Sequence, residues 1–156
     1  MLEPRYAACW QAYLDTLPPD APQRTAFVEA WPFGDSPALA DQLGGLVLSG
    51  RKTATCSSLW AYEREGGTLP APGQCSIILD GGGEPLCIIE TVAVDVRAFR
   101  EVDAAFAYDE GEDDRSLAAW RAAHWRYFTR TLAQHGLQPS ADMPLLCERF
   151  RVVYPP

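Results

Sequence analysis

The stretch "SGRKTATCSSLWAY", residues 49–62, decides the fold, because one periodicity stops there and another begins. Upstream of it, "DSPALADQLGGLVLSG" (35–50) carries Leu39, Leu43, Leu46 and Val47 at helical spacing. Ser36 is a good N-cap, Pro37 suits the first helical position, and Gly50 suits a stop. From Lys52 the pattern turns threonine-rich and alternates, which predicts a strand. The same residues crowd a lysine, two threonines, a cysteine and two serines together, so the junction is also a candidate nucleophile with its base.

Working outward, Tyr6, Trp10, Tyr13, Leu14 and Leu17 predict a helix over residues 4–17, broken by "LPPDAP". "QCSIILD" (74–80) and "PLCIIETVAVDV" (85–96) read as strands joined by the turn "GGGE". "FREVDAAFAYDEGEDD" (99–114) comes next. A helix over about 115–135 follows, with Leu117, Trp120, His124 and Phe128 on one face and Gly136 as its end. Asp113 or Asp114 is expected to cap it. "LLCERFRVVYPP" closes the chain as a strand. Helices flanking short strands without βαβ alternation give an α+β class with a small mixed sheet or barrel.

Composition narrows the partners. The 156 residues suit one domain, and 47% hydrophobic content supports a sizeable core. Thirteen Lys plus Arg against 21 Asp plus Glu give a net charge of −8. A broad clamp on long nucleic acid needs many cations, so this balance favours a small or single-nucleotide ligand. No run is long and apolar enough to span a membrane, and "MLEPRYAACW" lacks a signal-peptide pattern, so a cytoplasmic location is expected. Five cysteines with no CxxC spacing argue against a disulfide framework and a zinc ribbon.

"GRKTAT" (50–55), "IIET" (88–91), "EGEDDRSLAAWRAAHWRYF" (110–128) and "CERFRVVY" (147–154) together resemble the ASCH-domain proteins of the PUA-like superfamily, in their long subgroup with an N-terminal helical extension. The resemblance divides the chain into an extension, 1–30, and an ASCH domain, 31–156. It implies a small mixed β-barrel flanked by helices, with a cleft beneath. It also implies a metal-independent hydrolase of N4-acylcytidine or N4-acylcytosine, working without a cofactor, with a small nucleoside or nucleobase as its ligand and short single-stranded RNA as the other expected partner. A ribonuclease, or a non-catalytic RNA or nucleotide binder, are the other readings that family offers. By motif match the nucleophile falls on Thr55, the base on Lys52 and the acid on Glu90. Many members carry arginine where Ser57 stands.

The chemistry sets conditions on that match. Lys52 and Thr55 are three apart, so a regular strand would point them to opposite faces and a bend is required. A lysine base must be largely neutral, which asks burial or a neighbouring cation such as Arg51 to lower its pKa. Glu90 interrupts an apolar run, and beside Lys52 it would share that amine's proton or serve as the acid. Ser57 and Ser58 are candidates for substrate contact. Trp60 and Tyr62, two apart, would share a strand face and stack a base. His124 and Arg121 on the long helix complete the candidate contacts, with His124 the acid or base of a ribonuclease. The acids of "YDEGEDDRSL" lack the order of an EF-hand, so no metal is expected.

Overall fold

A computed structural model describes residues 1–155. Five strands, β1 (Glu29–Pro32), β2 (Ala54–Ser58), β3 (Cys75–Leu79), β4 (Pro85–Ala98) and β5 (Pro144–Tyr154), form one sheet in the order β1-β3-β4-β5-β2. β1 runs parallel to β3, and every other pairing is antiparallel. Edge strands β1 and β2 do not pair with each other, so the sheet curls into a half-barrel rather than closing. Five α-helices flank it: α1 (Pro4–Leu14), α2 (Pro37–Leu48), α3 (Leu59–Glu65), α4 (Ala104–Glu110) and α5 (Leu117–Ala133).

Strand β3, between β1 and β4, shows why the layers stack this way. All five residues of β3 are buried, because helices cover both of its faces. Cys75, Ile77 and Leu79 meet Tyr6, Trp10, Tyr13 and Leu14 of α1, while Ile78 packs with Leu43 and Val47 of α2 and with Phe150. A third cluster joins Phe106 of α4 and Trp120, Phe128 and Leu132 of α5 to Ala54, Leu145 and Cys147. The first segment is therefore part of the packing of the sheet: Trp10 is 8% exposed and Tyr13 is 4% exposed. All five cysteines are free thiols. Among the described residues no helix is long and apolar enough to cross a membrane.

Helix ends follow local chemistry. The Ser36 side chain accepts the Leu39 N–H at the start of α2, as the sequence predicts. α5 is capped by Ser116, not by Asp113 or Asp114; Asp114 accepts the Ser116 N–H instead and braces the cap. Two helices were not expected. Ser58 ends β2 and caps α3, its side chain accepting the Ala61 N–H, and Gly66 stops that helix in a left-handed conformation. Trp60 and Tyr62 thus lie on a helix, not on a strand face. Asp103 caps α4 in the same way, and Gly111 ends it. β1 was likewise not anticipated, being four residues long with a terminal proline.

Candidate functional site

The site is assembled where α2, β2 and the end of α4 meet. Gly50, with φ of +80°, ends α2, and the N–H groups of Arg51 and Lys52 both return to the Leu46 carbonyl. This tight turn supplies the bend the sequence demanded. Lys52 lies before β2 begins at Ala54, so strand alternation does not govern where its side chain points. Across from it, Gly111 has φ of +74°, and a side-chain carbon there would strike the Arg51 carbonyl. Only glycine lets the two backbones come so close. Arg51 then clamps the loop, donating to the Gly111 carbonyl at 2.7 Å and the Asp113 carbonyl at 2.9 Å. The Thr53 N–H donates to the Asp109 carbonyl at 2.8 Å.

This docking encloses Lys52, which is 2% exposed. Its ammonium donates to the Ala54 carbonyl at 2.9 Å, Glu110 Oε1 at 3.2 Å and Glu112 Oε2 at 3.0 Å. Glu110 Oε2 accepts from the Trp120 indole N–H, and His124 Nε2 lies 3.2 Å from it. His124 Nδ1 stands 2.9 Å from the Trp120 carbonyl, and the two rings stack with centroids 4.3 Å apart. One ring nitrogen facing a carbonyl and the other a carboxylate requires both to carry hydrogen, which is the imidazolium. The cluster therefore holds two cations, Lys52 and His124, against two anions, Glu110 and Glu112, and is neutral as a whole.

Its ionisation follows from that arrangement. Burial opposes the charge on Lys52, but the Glu110 and Glu112 carboxylates outweigh it and hold its pKa above the ordinary value. His124 is raised likewise: burial lowers it, and Glu110 more than reverses this. Burial would raise Glu110, yet Lys52 and His124 bring it down to about 2. Lys52 is thus an ammonium near neutrality, contrary to the neutral base expected from the sequence. Cys56 is pushed well up by burial, next by Glu110, so its thiol is not a ready nucleophile.

Two cavities adjoin the cluster. The smaller, about 230 Å³, is lined by Lys52, Glu110, Glu112 and His124 together with Thr55 and Cys56. The larger, about 850 Å³, shares Thr55 and Cys56 and extends past Ser57, Tyr62 and Thr91 to Glu148. Thr55 stands on the wall between them. Sulfur, oxygen and nitrogen atoms of Cys56, Glu110 and His124 lie within 4.8 Å of one another, the one set among the described residues able to gather a metal ion. Lys52 already occupies Glu110, and the cluster's charge is balanced, so an added cation would have to displace that ammonium.

The candidates from the sequence fall in several places. Lys52, Thr55 and His124 come together on the smaller cavity. Glu90 does not join them. The register of β4 sets it opposite Cys75 and Arg151, and Arg151 binds it through Nε at 2.9 Å and Nη2 at 2.7 Å. The acids beside Lys52 are Glu110 and Glu112, neither of which sequence reasoning placed beside that lysine. Ser57 and Tyr62 line the larger cleft, whereas Ser58 caps α3 and Trp60 packs on the α5 core. Arg51 braces the loop, and Arg121 is exposed and lines neither cavity. Spacing could have revealed part of this. Trp120 and His124 are four apart, one helical turn, so both can reach the same carboxylate.

A curled five-stranded mixed sheet with flanking helices and a cleft beneath is the PUA-like α+β architecture. The chain belongs to the ASCH-domain family, whose model matches residues 29–154. A crystal structure of an ASCH domain from Lactobacillus crispatus JV V101 is similar, at 32% identity and a TM-score of 0.92, over 98% of this chain and 96% of that one. Protein EF3133 from Enterococcus faecalis V583, of family DUF984, is 41% identical with a TM-score of 0.82, over 94% and 86% of the two chains. The hypothetical protein PH0355, at 11% identity and a TM-score of 0.52, shares the fold alone. No curated protein matches the chain.

Proposed function

We propose that this ASCH protein hydrolyses the amide of a nucleoside-sized substrate such as N4-acylcytidine. One observation carries the reading: a fully buried ammonium, held by two carboxylates, faces a cavity whose wall bears the Thr55 hydroxyl. Burying four charges costs stability that an apolar cluster would not, and such clusters on cavities mark functional sites. The roles differ from those the motif suggested. Glu110 carries three donors and is 1% exposed, so it serves as the anchor. Glu112, with 20% of its side chain exposed, is the carboxylate free to trade a proton.

In this reading Thr55 Oγ attacks the acyl carbon as its proton passes to Glu112, and Lys52 orients that carboxylate from 3.0 Å. The C–N bond breaks, Glu112 returns the proton to the leaving nitrogen, and water then hydrolyses the acyl-threonine. The net charge of −8 agrees with a small ligand rather than a long polyanion.

Purified protein should release cytidine from N4-acetylcytidine in the presence of EDTA. Thr55→Ala and Glu112→Gln should each cut turnover by about 10² or more. Full turnover in Thr55→Ala would remove threonine as nucleophile. Intact acylcytidine alongside cleaved RNA, with cleavage lost in His124→Ala, would replace the amidase by a ribonuclease.

A further inference from the structure

The cluster around Lys52 leaves one buried acid unused. Glu148 of β5 is 8% exposed and lines the larger cleft. The register of β2 and β5 puts it directly opposite Thr55, so the two side chains emerge on the same face of the sheet. Its one protein hydrogen bond is long, from Thr91 Oγ1 to Oε1 at 3.4 Å. No buried polar side-chain atom among the described residues lacks a partner, so the second oxygen of Glu148 opens into the cleft. A leucine here would fill the strand at no electrostatic cost. A carboxyl kept at this depth with so little support is organised for something that enters the cleft.

The walls say what enters. Trp31, Tyr62 and Tyr127 offer flat apolar surfaces, and about 850 Å³ is ample for a nucleoside. No lysine or arginine lines the cleft, and the one cationic group among its lining residues is the α-ammonium of the fully exposed Met1, so no buried cation is set to hold a phosphate. The ligand class is an uncharged heterocycle or its nucleoside. A protonated carboxyl presents a donor and an acceptor side by side, which matches a ring edge carrying an acceptor nitrogen beside an N–H.

We propose that Glu148 reads the ring of the substrate: its carboxylic acid donates to N3 and accepts from the N4–H of a cytosine-type base, holding the N4 substituent toward Thr55. The choice of cytosine rests on the hydrolase reading above; the pairing itself rests on the cleft. Burial brings the Glu148 carboxyl up to about 7, partly offset by the Thr91 bond, so the acid form is at hand near neutrality. The other titratable groups lining the cleft are the α-amino group of the exposed Met1, Glu29 from β1, Cys56 from β2, Tyr62 and Glu65 from α3, and Tyr127 from α5. Burial raises Cys56, Tyr62 and Tyr127, the last to about 12, so none of these three gains charge near neutrality.

Calorimetric titration of the full chain with cytidine, which has no bond to hydrolyse, tests the pairing. Wild type should bind about tenfold or more tightly at pH 6 than at pH 8.5, because the carboxylate faces N3 with two acceptors. Glu148→Gln keeps one donor and one acceptor at every pH, so its affinity should be equal at both. Glu148→Leu should lose about tenfold at pH 6, and the ribonucleoside of pyrimidin-2-one, lacking the 4-amino group, should bind wild type as weakly. No cytidine binding, a pH-independent wild type, or a Gln variant that keeps the pH dependence would each overturn the proposal. Cytidine binding of this form with N4-acetylcytidine left intact would sink the hydrolase reading and uphold this one. Hydrolysis with unchanged KM in Glu148→Leu would do the reverse. Folding of each variant is checked by thermal melting, and the near-isosteric Gln variant carries the test if the Leu variant melts early.

Discussion

Lys52 Nζ lies 3.2 Å from Glu110 Oε1, with each side chain only 1% exposed. These residues come from segments 58 positions apart, and neither has enough water to be charged alone. Removing one partner leaves the other buried and uncompensated. Lys52→Met and Glu110→Gln should therefore each cost about 3–5 kcal/mol in urea unfolding, while the double variant should lose much less than the sum. Additive losses would show that the two do not depend on each other.

His124 gives the cluster a pH signature. Its folded pKa lies above its ordinary value of 6.5, so the stability it contributes is complete below that value and fades as pH rises through the folded pKa. Glu110 works in the other direction: its contribution is present above 4.5 and is lost only as pH falls toward about 2. The destabilisation caused by His124→Gln should be greatest at mildly acidic pH and shrink on the alkaline side, read from melting temperatures across the range. A penalty that grows with pH would contradict the imidazolium.

Glu148 should oppose folding where it is forced to ionise. Its carboxyl moves from an ordinary 4.5 to about 7 in the fold, chiefly through burial, so stability falls as pH rises between those values. Glu148→Gln should be no more stable than wild type at pH 4, yet gain up to about 3 kcal/mol by pH 8. The same chemical denaturation series at both pH values measures the difference.

Gly111→Ala should separate the two halves of the site. A side chain at φ of +74° is strained, and it would press on the Arg51 carbonyl. A loss of about 1–3 kcal/mol is expected, with faster amide exchange over residues 109–115. Exchange unchanged in that loop would mean the close approach is dispensable.

How much of this could be read from the chain alone depends on the length of the signal. The helix over 115–135, the hairpin across "GGGE" and the Ser36 cap were legible because long periodic runs and turn residues act locally. α3 and α4 were not, since seven residues hold barely two turns. Their Ser58–Gly66 and Asp103–Gly111 cap-and-stop pairs were present, but the first looked like a continuing strand and the second lay in a stretch without a long periodic run. At the site, Lys52 and Thr55 stood out through one compact motif. Glu110 and Glu112 did not, because five acids in six positions read as a solvated surface, and only the docking of Gly111 on Arg51 turns two of them inward. Glu90 drew attention as an acid in an apolar strand, but its partner Arg151 is 61 residues away and invisible to local pattern.

The neutral cluster also bears on how the chain reaches its native state. A partly organised molecule with residues 50–58 docked on the sheet but 109–112 still loose would strand an ammonium in an apolar setting. The reverse intermediate would strand two carboxylates. Both half-built forms are penalised, so the last steps around Lys52 are driven to occur together. The charges that equip the cavity thereby act as a proofreading step in folding: the half-barrel, α4 and α5 lock into register jointly or not at all.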